Sequence, residues 1–230
     1  MNLDLITYKT IVFDCDGVVL NSNKVKVDTY LKVAKQNGGT DAQAQAFVEH
    51  HVSRGSFPRN GKIEYYLKNI KHEAITPEKI ARYIQSFEDI LDISLMECEI
   101  ASGLLALKTA TSNACWMLLS GGDQAELRRI FPRRTVENHS VENRTLADLF
   151  EAGIFGGPDL KEEVLEREIR NKNIKFPALF IGDSKYDHQA STAAELDFIF
   201  VSDWTEVKDW QNYCSEKNIV AYPNIASLLA

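Results

Sequence analysis

Two aspartates separated by one residue stand out as candidate chemistry: Asp14 and Asp16, in TIVFDCDGVVLNSN, residues 10–23. They follow Ile11, Val12 and Phe13, an apolar run that reads as a buried strand. Two carboxylates that close repel each other, and removing them from water costs several kcal/mol per ion unless something compensates. The pair is therefore either a solvated turn or a place for a cation. The ends of other apolar runs also carry reactive groups. After ACWMLL (114–119) come Ser120, Gly121 and Gly122. After ALFI (178–181) come Gly182 and Asp183, with Asp187 four residues on. Lys161 opens a helical pattern after the turn FGGPDLK.

These residues meet only if the runs form one sheet. IVF (11–13), ACWMLL, ALFI, FIFV (198–201) and the weaker NIVAY (218–222) are too short for helices and read as strands buried on both faces. Helical patterns over 123–131, 160–171 and 185–195 separate the later ones. The alternation predicts an α/β fold: a doubly wound, Rossmann-like parallel sheet. Between the first two strands the chain reads as helix. Residues 22–36 have helical spacing, and Thr76 and Pro77 look like the N-cap and first residue of a helix carrying Ile80, Ile84, Phe87 and Leu91. We therefore expect a core domain, 1–20 and 101–230, interrupted by a helical cap domain, 21–100. Ligands in open α/β sheets bind at the carboxyl ends of the strands, where this insertion emerges, so it is placed to roof a site.

Composition narrows the function. The 230 residues are 44% hydrophobic and 26% charged, an ordinary globular balance, with a formal net charge of −7. That charge argues against nucleic acid and anionic membrane surfaces as partners. No apolar run approaches the length of a membrane span. The opening MNLDLITYKT lacks the features of a secretory signal. Cys15, Cys98, Cys115 and Cys214 form no C-x-x-C pair and are expected as reduced thiols in the cytoplasm.

DCDGVV, LLSGG, Lys161 in FGGPDLKEEVLE, and IGDSKYDHQAS resemble, in order and position, the four motifs of the haloacid dehalogenase-like (HAD) hydrolases. The resemblance covers the whole chain. The helical insertion looks like the cap of the subgroup that contains phosphoglycolate phosphatase and β-phosphoglucomutase. It implies a Mg²⁺-dependent phosphatase acting on a small phosphorylated metabolite, as a monomer or small homo-oligomer. Asp14 would attack phosphorus and form an aspartyl-phosphate. Asp16 would protonate the leaving oxygen and later activate water. Ser120, the Gly121 amide and Lys161 would hold the phosphoryl oxygens. Mg²⁺ would be held by Asp14, Asp183 and the backbone carbonyl of Asp16, with Asp187 orienting Lys161 or a metal-bound water.

Other readings share the fold. A phosphomutase would need the insertion to exclude water and hold a bisphosphate. An inactive binding module is disfavoured by four intact motifs. Dehalogenation is disfavoured by Asp16, an acid the family's dehalogenases lack at that place. Within the insertion, residues 52–66 read as a basic turn between helices, with Arg54, Arg59 and Lys62 beside Gly55, Pro58 and Gly61. Arg54 is the candidate contact for a second anionic group on the substrate. The five histidines show no metal-ligand spacing, and His50 and His51 are expected at the surface. The polar stretch 132–145 is longer than the family's usual connection, and His188 stands where an aliphatic residue is usual.

Overall fold

The computed structural model describes residues 4–54, 59–136 and 144–229. The chain divides into two compact units: Met1–Asn21 with Glu99–Ala230, and Ser22–Cys98.

The first unit is built on a parallel sheet. Its strands are β1 (Thr10–Phe13), β2 (Cys115–Asp123), β5 (Ile154–Gly157), β6 (Ala178–Gly182), β7 (Asp197–Val201) and β8 (Val220–Tyr222), in the spatial order β5-β2-β1-β6-β7-β8. Strand β1 is central: Thr10 sits opposite Cys115 on one side and Ala178 on the other. All four residues of β1 are buried, as expected of a parallel strand covered on both faces. Val12, Met117, Leu119 and Phe180 pack with Val164 and Leu165 in one cluster. Phe13, Trp116, Phe131 and Phe150 form a contiguous aromatic group elsewhere in the core. Helices α5 (Leu104–Ala110), α6 (Gln124–Ile130), α7 (Lys161–Arg170), α8 (Lys185–Ala193) and α9 (Trp210–Lys217) complete the βα alternation.

Strand β5 has no counterpart among the apolar runs, and the fold corrects that omission. Two of its four residues are glycine, so its place comes from pairing with β2 rather than from a hydrophobic pattern. Within the polar stretch, β3 (Thr135–Val136) pairs antiparallel with β4 (Arg144–Thr145); residues 137–143 lie outside the described residues.

The second unit is helical: α1 (Asn23–Gln36), α2 (Asp41–Arg54), α3 (Arg59–Tyr65) with a π-helical turn at Tyr66–Ile70, and α4 (Pro77–Glu97). Thr76 caps α4 as expected, its hydroxyl accepting from the Lys79 amide at 3.3 Å. Tyr30, Val33, Phe47, Tyr66, Tyr83, Phe87 and Leu91 are buried, and the Phe47 and Tyr66 rings stack at 4.2 Å. The turn expected over 52–66 is corrected. Residues 52–54 continue α2 and 59–65 are helix, with Gly61 inside it; Gly55 and Pro58 lie outside the described residues. Burial of Ile63, Tyr66 and Leu67 outweighs the roughly 1 kcal/mol that a helical glycine costs. His50 and His51 are half-buried rather than surface residues. Among the described residues, no helix is long and apolar enough to cross a membrane.

Candidate active site

Asp14 leaves β1 with its amide still in the sheet, donating to the Ile181 carbonyl at 3.0 Å. The chain then turns sharply. The amides of Val19 and Leu20 donate to the Cys15 carbonyl, and Gly17, at φ +79°, donates to the Leu20 carbonyl at 2.8 Å. That left-handed conformation is one a side chain resists, which accounts for glycine after D-x-D. The turn brings Asp16 to Ser120, whose hydroxyl donates to Asp16 Oδ2 at 3.2 Å and accepts from the Gly122 amide at 2.9 Å. Strand β2 continues past Leu119 to Asp123, so Ser120 and Gly121 lie within a strand rather than after it. Its register against β5 is irregular between Leu119 and Asp123. Such irregularities re-aim side chains near functional sites. Gly121 is exposed there and Ser120 is buried.

At the next strand end, Ser184 and Asp187 form a capping box at the start of α8. Asp187 Oδ2 accepts from the amides of Asp183 and Ser184 and from the Ser184 hydroxyl. Gly182 allows this approach, because a Cβ there would stand 2.5 Å from Asp187 Cβ. Lys161, the first residue of α7, donates to Asp187 Oδ1 at 2.5 Å and to Asp14 Oδ1 at 2.7 Å. Lys161, Asp14, Asp183 and Asp187 are all buried. Asp14, Asp16, Ser120, Lys161, Asp183 and Asp187 are therefore connected by short hydrogen bonds and chain neighbourhood at the carboxyl edge of the sheet. Asp187 is the structural hub.

Burial and neighbouring charges set the protonation of the cluster. Burial and the charge of Asp187, with a smaller addition from Asp16, push the Asp14 carboxyl up to about 7 against the opposing pull of Lys161. Burial disfavours the Lys161 charge, but Asp14 and Asp187 outweigh it and raise its pKa. Negative charge is in surplus. Asp14, Asp183 and Asp187 can each bring one carboxylate oxygen within 4.8 Å of the others. A set of hard oxygen donors in a field of excess negative charge suits a divalent cation such as Mg²⁺. Both oxygens of Asp187 are already engaged, Oδ1 by Lys161 and Oδ2 by the amides of Asp183 and Ser184 and by the Ser184 hydroxyl.

A family profile described as haloacid dehalogenase-like hydrolase matches residues 8–195. The chain belongs to the haloacid dehalogenase-like hydrolases. No curated protein is matched by sequence. Solved structures share the HAD-like fold. CbbY from Rhodobacter sphaeroides, in complex with phosphate, superposes with a TM-score of 0.67 at 16% identity, covering 96% of each chain. A candidate β-phosphoglucomutase from Bacteroides vulgatus gives 0.64 at 19% identity, over 96% of this chain and 86% of that one. A candidate phosphoglycolate phosphatase from Lactobacillus plantarum gives 0.61 at 18% identity, over 97% and 98%.

This HAD-like hydrolase carries one site contact that the motif reading omits. The Thr205 hydroxyl, in the loop after β7, donates to the backbone carbonyl of Asp183 at 2.5 Å and accepts from the Val207 amide at 3.1 Å. The same strand-end rule, applied to FIFV, points to this loop. Arg54 is the last residue of α2 and is exposed.

Proposed function

We propose that the chain is a Mg²⁺-dependent phosphatase that hydrolyses a small soluble phosphomonoester through an aspartyl-phosphate on Asp14. The observation that carries this reading is Lys161, buried between the carboxylates of Asp14 and Asp187 beside Asp183. Phosphate monoester hydrolysis is among the slowest reactions in water, and a prearranged charged site addresses that barrier.

In the first step a carboxylate oxygen of Asp14 bonds to phosphorus, the bond to the leaving oxygen breaks, and Asp16 gives that oxygen its proton. In the second, Asp16 takes a proton from water, the water oxygen bonds to phosphorus, and the acyl-phosphate bond breaks. Inorganic phosphate leaves and Asp14 is restored. Ser120, the Gly121 amide and Lys161 hold the non-transferring oxygens. Bound Mg²⁺, on Asp14, Asp183 and the Asp16 carbonyl, would neutralise charge between nucleophile and phosphate. The helical unit Ser22–Cys98 is assigned as the cap, and Arg54 as a contact for a second acidic group. None of the four cysteines is in a disulfide, which supports a cytoplasmic setting.

The direct test is hydrolysis of p-nitrophenyl phosphate with Mg²⁺ and with EDTA, followed by a panel of phosphorylated metabolites. Metal-dependent release of phosphate is expected. Turnover undiminished by chelation, or none with Mg²⁺ on any phosphomonoester, would refute the reading.

A further inference from the structure

The first turn of α8 sends three neighbouring side chains to three partners. Lys185 pairs with Asp209 at 2.9 Å. Asp187 accepts from Lys161 at 2.5 Å. Between them, Tyr186 donates its hydroxyl proton to Glu162 Oε2, also at 2.5 Å. Lys161 and Glu162 are the first two residues of α7. The bonds from Tyr186 and Asp187 therefore run side by side and tie the same two helix starts together. The Lys161 bond belongs to the charged cluster, and the Tyr186 bond lies just outside it.

Lys161 needs such support. Its ammonium reaches Asp14 at 2.7 Å and Asp187 at 2.5 Å, and lies 5.7 Å from the Phe180 ring centroid. Asp14 is set by β1 and Asp187 by the capping box of α8, so both carboxylates have fixed places. A lysine stem is flexible, and holding it in one rotamer costs entropy. The start of α7 gives it little help. Leu160 stands at the N-cap, where it has no acceptor for the first amides, although Glu163 reaches back to the Leu160 amide at 3.0 Å. Tyr186 and Glu162 are both half-buried. Burial, then Glu162, push the Tyr186 phenol up to about 12, and a backbone hydrogen bond with Lys161 pulls the other way. The phenol therefore stays protonated at neutral pH and donates. An O–H bonded to a carboxylate is shorter and stronger than a bond between neutral groups. It also links the two helices without adding a second cation that would compete with Lys161 for the acids.

We propose that Tyr186, through Glu162, is a positioning residue for Lys161: it clamps the first turn of α7 to the first turn of α8 so that one ammonium spans Asp14 and Asp187. This rests on the phosphatase reading for the step that Lys161 serves. Lys161 counters charge that builds on the phosphoryl oxygens in the transition state, so its displacement acts on kcat more than on KM. A misplacement of about 1 Å can lower a rate by on the order of 10²-fold.

The experiment uses the full chain with Tyr186→Phe, Glu162→Leu, Glu162→Gln and the double variant Tyr186→Phe/Glu162→Leu. With Mg²⁺, on p-nitrophenyl phosphate and on the best metabolite of the panel, Tyr186→Phe and Glu162→Leu should each lower kcat by about 5–30-fold and leave KM within about twofold. Glu162→Gln keeps an oxygen for the phenol and should lose less. The double variant should be no worse than the poorer single variant, because the two residues act as one unit. Acetylation in EDTA, read by peptide mass spectrometry, needs no turnover. Lys161, 4% exposed, should react slowly in the wild type and at least about fivefold faster in Tyr186→Phe, while Lys62, buried in the helical unit, keeps its rate. A rise at both lysines means general loosening and overturns the proposal. So does an unchanged kcat, a loss carried by KM, or a loss of kcat with Lys161 still protected. If the wild type hydrolyses nothing, the phosphatase reading fails and the acetylation of Lys161 against Lys62 still decides the positioning. If Tyr186→Phe does not fold, Glu162→Leu carries the same comparisons.

Discussion

The ammonium of Lys161 lies 2.7 Å from the carboxylate of Asp14, and both groups are buried. Removing one member of a buried ion pair leaves an uncompensated charge, which costs about 3–5 kcal/mol. Lys161→Met leaves two such carboxylates, because Asp187 loses the same partner. Denaturant unfolding in EDTA should show a loss of that order, with part of it recovered on adding Mg²⁺. A variant as stable as the wild type would mean that the site tolerates its negative charge unaided.

Asp14→Asn keeps the shape of the side chain and removes its nucleophilicity. Turnover should fall by about 10³-fold or more, as for other enzymes that lose a nucleophile. Acid quenching of the wild type during turnover should trap phosphate on the protein, and quenching of the variant should trap none. Turnover near that of the wild type would exclude covalent catalysis at this residue.

Thr205 positions Asp183 through its backbone carbonyl rather than touching a reacting atom. Thr205→Val deletes that hydrogen bond, and calorimetric Mg²⁺ affinity should weaken by about 3–10-fold. Thr205→Ser should restore it. Asp183→Asn should weaken binding further than either. Unchanged Mg²⁺ affinity in Thr205→Val would make the contact incidental.

Glu73 in the helical unit accepts from Lys71 and Lys79 at 2.8 and 2.7 Å, and these bonds hold its carboxyl down at about 2. Its value in the folded chain lies below that in the unfolded chain. The stabilisation is therefore present above about pH 4.5 and disappears as pH falls toward 2. The group is about one-third exposed, so the contribution is below ~1 kcal/mol. Thermal melts should separate wild type from Glu73→Gln at pH 7 and bring them together near pH 2. A gap that persists there would assign the effect to packing.

Most of the sheet is legible in the sequence because β1, β2, β6, β7 and β8 bury apolar side chains, and burial shows as runs. Strand β5 is silent, since Gly156 and Gly157 occupy half of it and β2 dictates its course. The acids of the site are legible because Asp14 and Asp183 directly follow strands. Thr205 is not, because a hydroxyl bonded to a main-chain carbonyl has no signature in residue type. Lys62 reads as one more lysine beside Arg59. Only the packing of α1, α2 and α4 around Tyr30 shows that its ammonium is buried. Gly61 suggests a turn by its own propensity, and the buried face of α3 overrides it.

The central place of β1 has a consequence for how the molecule comes into being. Thr10 to Phe13 are made long before their neighbours in space, Cys115 to Leu118 and Ala178 to Ile181. Closing loops of that length precedes any reward from pairing, so parallel arrangements of this kind form slowly. Until ALFI has emerged and docked, Asp14 lacks the Ile181 carbonyl that receives its amide, and Lys161 lacks Asp187. A nascent or truncated chain that ends before β6 therefore holds Lys161 without Asp183 and Asp187, and the cluster is completed only once the start of α8 has been made.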